Sequence, residues 1–510
     1  MALCNVKNVD LLSDTIKVLG YHFSYNARLN QDKNFVSSIK KIETVLNIWR
    51  MRGLTLSGKI IIFKSLAFSK TVFTSHIGSM SSNILDHLKK VHKDFIWDGK
   101  KPKIKHSTLI ANYSQGGLKD IDIDTKIKSL NLSWLKRLHD DNFHPWKVIP
   151  TYIFSTLSPV GIDIFYPNSY FKFFTPNAPV FYKNIIKFWT DISTATPITA
   201  SSMLSERVWN NTNIKIGGEV ITPVFLAVDT NIFVADFFDD TGNIKDWHEF
   251  RVSKNIDTNK FFCWVQILDA IPHNWKVSIK NDCGRSRQFC DFKPHLIFNA
   301  KIYPMEKLSS KELYNNFVQK VVKAPTSQAT IQRALNVESL PWNSIYNLSR
   351  AVSIDSYSRI FQYKILNNIL YLNLSLHRMG LSDSPLCSYC HAENETTQHL
   401  FFDCTTAKVL WSDIQNFFSS AIVIPPLNLQ SAIVGFLDVD KDVSIILNNI
   451  LLMYKITLYR NRDKNTISVR HVVNNLKTRE KIERHIISDN TSKLAFHQNK
   501  WRFLCQLIDI

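Results

Sequence analysis

The sequence predicts a mainly α-helical, multi-domain chain with minor β structure, on three observations. Apolar residues make up 45% of the 510 and include 33 Phe and 12 Trp, enough to fill real cores. Only 14 Gly and 17 Pro interrupt them, too few for the turn-rich texture of a β-sandwich or barrel. Apolar residues also recur at steps of three and four, the spacing that gathers them on one helix face.

Taken in order, Thr15-Ile-Lys-Val-Leu-Gly-Tyr-His-Phe23 reads as a short strand or hairpin. A helix follows over 34–49, with Ile39, Ile42, Leu46 and Trp49 on one face. A second, N-capped by Ser57, runs from Gly58 to Phe73, and a third spans 82–97. Past Gln115-Gly116-Gly117-Leu118 another amphipathic helix covers 124–140. The Pro-, Phe- and Asn-rich stretch 142–179 reads as irregular. From 180 to 330 short helices alternate with strand-like pieces at Asn213–Ile216 and Thr222–Val228. One helix is expected over 354–379, stopped by Gly380, and the C-terminal segment returns to helix. The resulting plan is an opening hairpin (1–30), a basic helical region (31–145), a mixed α/β region (146–335), a cysteine-bearing domain (336–420) and a basic C-terminal helical region (421–510).

The chain carries 62 Lys and Arg against 43 Asp and Glu, a formal charge of +19, so a polyanionic partner is expected. Between residues 33 and 105 there are 15 basic and four acidic residues; between 455 and 502 there are 12 and four. The plain alternative is that these lysines are solvated helix faces. The opening MALCNVKNVDLLSD has no apolar run of signal-peptide length, and Asn448, Asn449 and Lys455 interrupt the apolar stretch from Val443 to Tyr459. No membrane span or secretion is therefore expected. Three of the eight cysteines cluster at metal rather than disulfide spacing, which fits a reducing compartment, nucleus or cytoplasm.

That cluster is Cys387-x2-Cys390-x8-His399-x4-Cys404. Two cysteines across a tight turn offer two thiolates to one ion, and a His and a Cys from the next segment complete a tetrahedron. Four protein ligands leave no place for water or substrate, so the expected Zn2+ is structural. His391 is an alternative to His399, badly placed directly after Cys390. Cys283, Cys290 and His295 lack a C-x-x-C turn and read as idle or buried. Asp236, Asp239 and Asp240 have the look of carboxylates that hold Mg2+ for phosphoryl transfer, but a polar turn follows them where that geometry needs a second apolar strand. They read as a surface turn, and no catalytic residue is assigned. No phosphate loop, H-E-x-x-H or G-x-S-x-G is present.

Several stretches together resemble the part downstream of the polymerase palm in LINE-type (non-LTR) retrotransposon reverse transcriptases. Thr15-Ile-Lys-Val-Leu-Gly-Tyr21 is similar to the hairpin after the palm, and Trp49-Arg-Met-Arg-Gly-Leu-Thr-Leu-Ser-Gly-Lys-Ile60 to the helix pair of the thumb. Phe95-Ile-Trp97 with Gly116-Gly-Leu118 resembles the segment that follows. Val234-Ala-Asp-Phe-Phe-Asp-Asp-Thr-Gly242 and Ala270-Ile-Pro-His-Asn-Trp275 are similar to the linker. Phe361-Gln-Tyr-Lys364, leading into the cysteine cluster and Trp411, resembles the zinc-binding domain.

The resemblance implies a parent that is an RNA-directed DNA polymerase primed on nicked target DNA, with Mg2+ in its palm. The fingers, the palm and an endonuclease domain are not in this sequence, so the chain is expected to be a truncated or decayed copy, inactive alone. Its expected partners are RNA or DNA: element RNA, template–primer or target DNA. Expected phosphate contacts are Arg50, Arg52, Lys59 and Lys64 in the thumb-like pair and Arg359 and Lys364 beside the knuckle. Two other readings stand beside this one: a zinc-stabilised interaction scaffold, and a Mg2+-dependent polymerase or nuclease using Asp236, Asp239 and Asp240.

Overall fold

The computed structural model describes residues 14–157, 161–170, 179–193, 197, 199–227, 231–282, 293–298, 301–464, 466–488 and 491–508. Helix takes 63% and strand 6%, so the fold is mainly α with small antiparallel hairpins. The chain divides into two compact units, each assembled from separated stretches.

The first unit comprises Met1–Lys41, Phe68–Lys89 and Asp122–Val321. Its opening hairpin pairs Ile16–Val18 with Tyr21–Phe23 in the register Val18↔Tyr21. Leu19 and Gly20 both take positive φ, 48° and 89°, the two-residue turn whose twist suits a hairpin. The Asn34 side chain brackets the His22 backbone, accepting from its N–H and donating to its C=O at 2.8 Å each. One core gathers Leu135, Phe154, Phe165 and Trp189 with Leu313 and Phe317, and another packs Trp209, Phe237, Phe250, Trp264 and Trp275.

Four expectations for this unit are corrected. The helix over 124–140 is two pieces, Ile123–Leu132 and Leu135–Leu138. Asn131 donates to the Ser75 carbonyl at the break, and the Ser133 hydroxyl turns back onto the Leu130 carbonyl. The stretch taken as irregular contains a helix, Val148–Leu157. Pro145 and Pro150 do not prevent it, because they sit in its lead-in turn and first turn, where no intrahelical N–H is needed. Within Thr222–Val228 the described residues form a single 3-10 turn, Pro223–Phe225, set by the proline, and the strands are Lys215–Ile216 and Glu219–Val220. The helix read as one from 58 to 73 ends in this unit as Ser69–Ile77.

The second unit comprises Ile42–Ala67, Lys90–Ile121 and Val322–Ile510. The Leu56–Ile62 helix is capped by Thr55, not Ser57: the Thr55 hydroxyl accepts the Gly58 N–H at 3.2 Å. The Ser82–Trp97 helix, which enters this unit at Lys90, has the bounds read from sequence. Gly117 is obligatory because a Cβ there would lie 2.1 Å from the Ala111 carbonyl oxygen. The helix expected over 354–379 is Ser356–Leu366 and Asn373–Arg378, broken where Asn368 takes φ 52° and followed by Gly380 at φ 69°.

The core is built around Lys441–Arg460, whose middle is buried on every side by Ser356–Leu366, Thr405–Phe418, Val469–Ile487 and Thr491–Ile508. Two of the three polar residues that interrupt its apolar run have partners: Asn448 accepts the Phe436 N–H and donates to its C=O at 2.9 Å each, and Lys455 donates to Gln362 at 3.2 Å, whereas the buried Asn449 side chain has none among the described residues. Among the described residues no helix is long and apolar enough to cross a membrane.

Candidate metal centre and nucleic-acid interface

The cysteine cluster is assembled from two short segments that follow the Asn373–Arg378 helix. The Cys387–Cys390 turn closes on itself, with the His391 N–H on the Cys387 carbonyl at 3.0 Å and the Cys387 N–H on the Glu393 carbonyl at 2.7 Å. Amides of Tyr389 and Cys390 point at the Cys387 sulfur. Fourteen residues after Cys390, Cys404 stands at the head of the Thr405–Phe418 helix, where its sulfur meets the amides of Thr406 and Ala407. A hydrogen bond from Cys387 lowers the Cys404 thiol against the upward push of burial, and the same bond pushes Cys387 up.

Cys387 Sγ and Cys404 Sγ are 3.9 Å apart, Cys390 Sγ and His399 Nε2 3.2 Å, and all four donor atoms lie within 4.8 Å of one another. A tetrahedron with Zn–S near 2.3 Å places sulfurs roughly 3.7–3.8 Å apart, close to the Cys387–Cys404 spacing, so the donor set suits Zn2+ with shifts of a few tenths of an ångström. His391, exposed at φ 51°, is outside the group, which leaves His399 as the fourth donor.

The surrounding contacts hold this arrangement in place. Glu393 Oε2 lies 3.0 Å from His399 Nδ1, which leaves Nε2 for the metal. Glu395 is wholly buried and accepts from the Asn373 N–H, the Ser388 N–H and hydroxyl, and the Arg462 guanidinium. The Tyr389 hydroxyl donates to the Leu458 carbonyl at 2.8 Å. The knuckle is thereby pinned to the C-terminal end of the central Lys441–Arg460 helix.

In the same unit a cavity of about 440 Å3 opens between the 53–59 and 97–103 segments on one side and Tyr357–Tyr371 with Tyr459 on the other. Two of the six expected phosphate contacts, Lys59 and Lys364, line it. Lys59 is buried and paired with Asp98 at 2.6 Å. Lys100, Lys101 and Lys103 also line it, and among the described residues neither they nor Lys364 form an ion pair. Burial lowers the Lys364 pKa, Tyr371 opposes that, and Lys103 adds to it.

The other four expected contacts lie off the cavity. Arg50 reaches Asn47, Arg52 lies over the Trp49 ring, Lys64 donates to the Lys119 carbonyl, and Arg359 turns inward onto the carbonyls of Ser353 and Arg350. Sequence reading counted the lysines at 100–103 in the basic stretch without singling them out; their signal was the Lys-Lys-Pro-Lys run just past a helix end.

The three aspartates do not converge. Asp236 caps the Phe233 N–H at 2.8 Å and pairs with Lys254 at 2.8 Å. Asp239 accepts from the Thr241 N–H and hydroxyl and the Asn243 N–H, a tight local turn. Cys283 and Cys290 lie outside the described residues; His295 is buried with its Nδ1 on the Lys293 carbonyl.

A group that sequence reading missed lies in the second unit: buried Asp120 sits 3.1 Å from His92 Nε2 and 3.7 Å from His106 Nε2. Burial pushes the Asp120 carboxyl up, but His92, His106 and the Ile121 N–H together more than offset it and the pKa falls. The 14-residue spacing of these three matches no motif, so nothing local marked them.

No curated protein matches the chain. The model of the family described as zinc-binding in reverse transcriptase matches residues 326–411, a span that holds all four knuckle donors, and over it the chain is related to reverse transcriptases and carries a Cys3His group suited to Zn2+.

Proposed function

We propose that the chain is a nucleic-acid-binding portion of a LINE-type retrotransposon reverse transcriptase, in which the zinc knuckle is a structural brace and the lysine-lined cavity engages phosphate. The observation that carries this reading is the set of four lysines around one opening which, among the described residues, form no ion pair, and whose one acidic neighbour in the described lining, Asp98, is already held by Lys59. Like charges gathered without counter-ions repel one another, and a polyanion relieves that while releasing its own condensed cations. The basic surplus and the zinc-binding match point the same way. On this reading the partners are element RNA, template–primer or target DNA in nucleus or cytoplasm, and polymerisation with Mg2+ belongs to the parent's palm.

The test is binding of labelled RNA and DNA across a salt series, comparing the native chain with Lys100→Glu, Lys101→Glu, Lys103→Glu. The triple variant should bind all sequences more weakly, and each lost contact should flatten the log–log salt slope by about 0.7–0.9. An unchanged slope removes the cavity from the interface; no retention of any nucleic acid at low salt removes the function.

A further inference from the structure

We propose that the cavity seats one unpaired nucleotide of a strand, so that the chain prefers a strand end or flap over continuous duplex. This rests on the nucleic-acid reading above and adds to it the form of the ligand.

The size is the first argument. About 440 Å3 lies inside the range of pockets that enclose small organic ligands, roughly 300–1,000 Å3, and is far too small for a double helix. The lining is the second. Beside the lysines it includes Tyr357, Tyr371 and Tyr459, all half-buried, over a base that includes buried Phe361. Tyr459 and Tyr357 have partners already: Arg462 and Arg460 lie over their rings at 4.1 and 4.3 Å, and the Tyr459 hydroxyl donates to the Tyr371 carbonyl. Among the described residues no arginine and no second aromatic ring lies on the Tyr371 ring; the Lys103 ammonium does, 3.5 Å from its centroid. That lysine is exposed and, among the described residues, in no ion pair, so an incoming base displaces it at little cost and receives it on the adjoining phosphate. The pairing of one ring face with neighbouring lysines matches a base with its phosphate and not a phosphate alone. In a duplex both faces of a base are stacked on neighbours; only an unpaired or extruded nucleotide has a face to offer.

The experiment uses the full zinc-loaded chain and short duplexes that are blunt or carry one unpaired 2-aminopurine nucleotide at an end, with affinity and 2-aminopurine fluorescence both read. The overhang should bind roughly tenfold more tightly than the blunt duplex, with its fluorescence quenched by stacking. Tyr371→Ala should erase both differences while blunt binding persists; Tyr371→Phe, which keeps the ring, should retain them. Zinc content verifies that each variant is folded. Equal affinity for blunt and overhang duplexes, with salt-sensitive binding intact, overturns the unpaired-nucleotide site and leaves the nucleic-acid reading standing. Displacement of the overhang by equimolar nucleoside monophosphate would make this a free-nucleotide pocket instead, and no binding to any duplex would overturn the function itself.

Discussion

The segments 387–404 and 234–243 have similar promise as strings of letters, since each places metal-loving side chains within a few residues of one another. In the first, two turns from separate segments aim three sulfurs and a nitrogen at one point, and outer carboxylates hold them there. In the second, each described carboxylate contact is spent nearby, on a backbone N–H, a hydroxyl or Lys254. The difference teaches that a metal site is made by convergence across segments, and that aspartates close in sequence more often serve the local backbone that they cap.

The strongest way to break the comparison is to remove one donor from the converging site. Cys390→Ser should abolish zinc uptake and cost the second unit roughly 5 kcal/mol or more, since structural zinc supplies folding free energy outright. Metal analysis with calorimetry reads both, and a variant that keeps its metal and melting temperature would make the cluster ornamental.

The two units should also respond oppositely to pH. Glu206 lies next to the second segment, its carbonyl accepting the Val234 N–H, and burial pushes its carboxyl up to about 8 although Asn211 and Asn168 pull against it. A raised folded pKa contributes stability fully present below the unfolded value of 4.5 and lost as pH rises through about 8, of the order of a few kcal/mol at full span. Zinc ligands must instead shed protons, so the knuckle gains stability as pH rises. Melting followed from pH 5 to 8 should show the two transitions moving apart, and Glu206→Gln should flatten the falling one.

A finer effect is expected at the imidazole. Glu393→Gln should leave the four donors in place while weakening metal affinity about 10- to 100-fold, measured by competition with a chelator. Smallest of all, Asp239→Ala with Asp240→Ala should lower the melting temperature slightly and leave metal content unchanged; a loss of bound metal would overturn the contrast.

What was legible in the sequence was whatever local chemistry decides. Leu19-Gly20 gave away the hairpin, the uninterrupted amphipathic run gave away Ser82–Trp97, and the knuckle's spacing was itself a geometric statement. Reading failed where tertiary contacts outvote composition. Val148–Leu157 folds around Phe154 and Leu157 despite its prolines, and the break after Leu366 turns on Asn368 in a left-handed conformation. The cavity was invisible for a plainer reason: its walls come from stretches some 250 to 400 residues apart, so no window of sequence holds both Lys103 and Tyr371.

Glu395 connects these themes. Through Arg462 it joins the knuckle to the ring of Tyr459, which lines the cavity. Whatever coupling a shared strut carries between two ligands is equal in both directions, because the coupling free energy is the same from either end. If zinc stiffens the wall that a strand needs, then a seated strand tightens the equilibrium hold on zinc, read by competition with a chelator, by the same factor, and cutting the strut with Glu395→Gln makes the two forget each other.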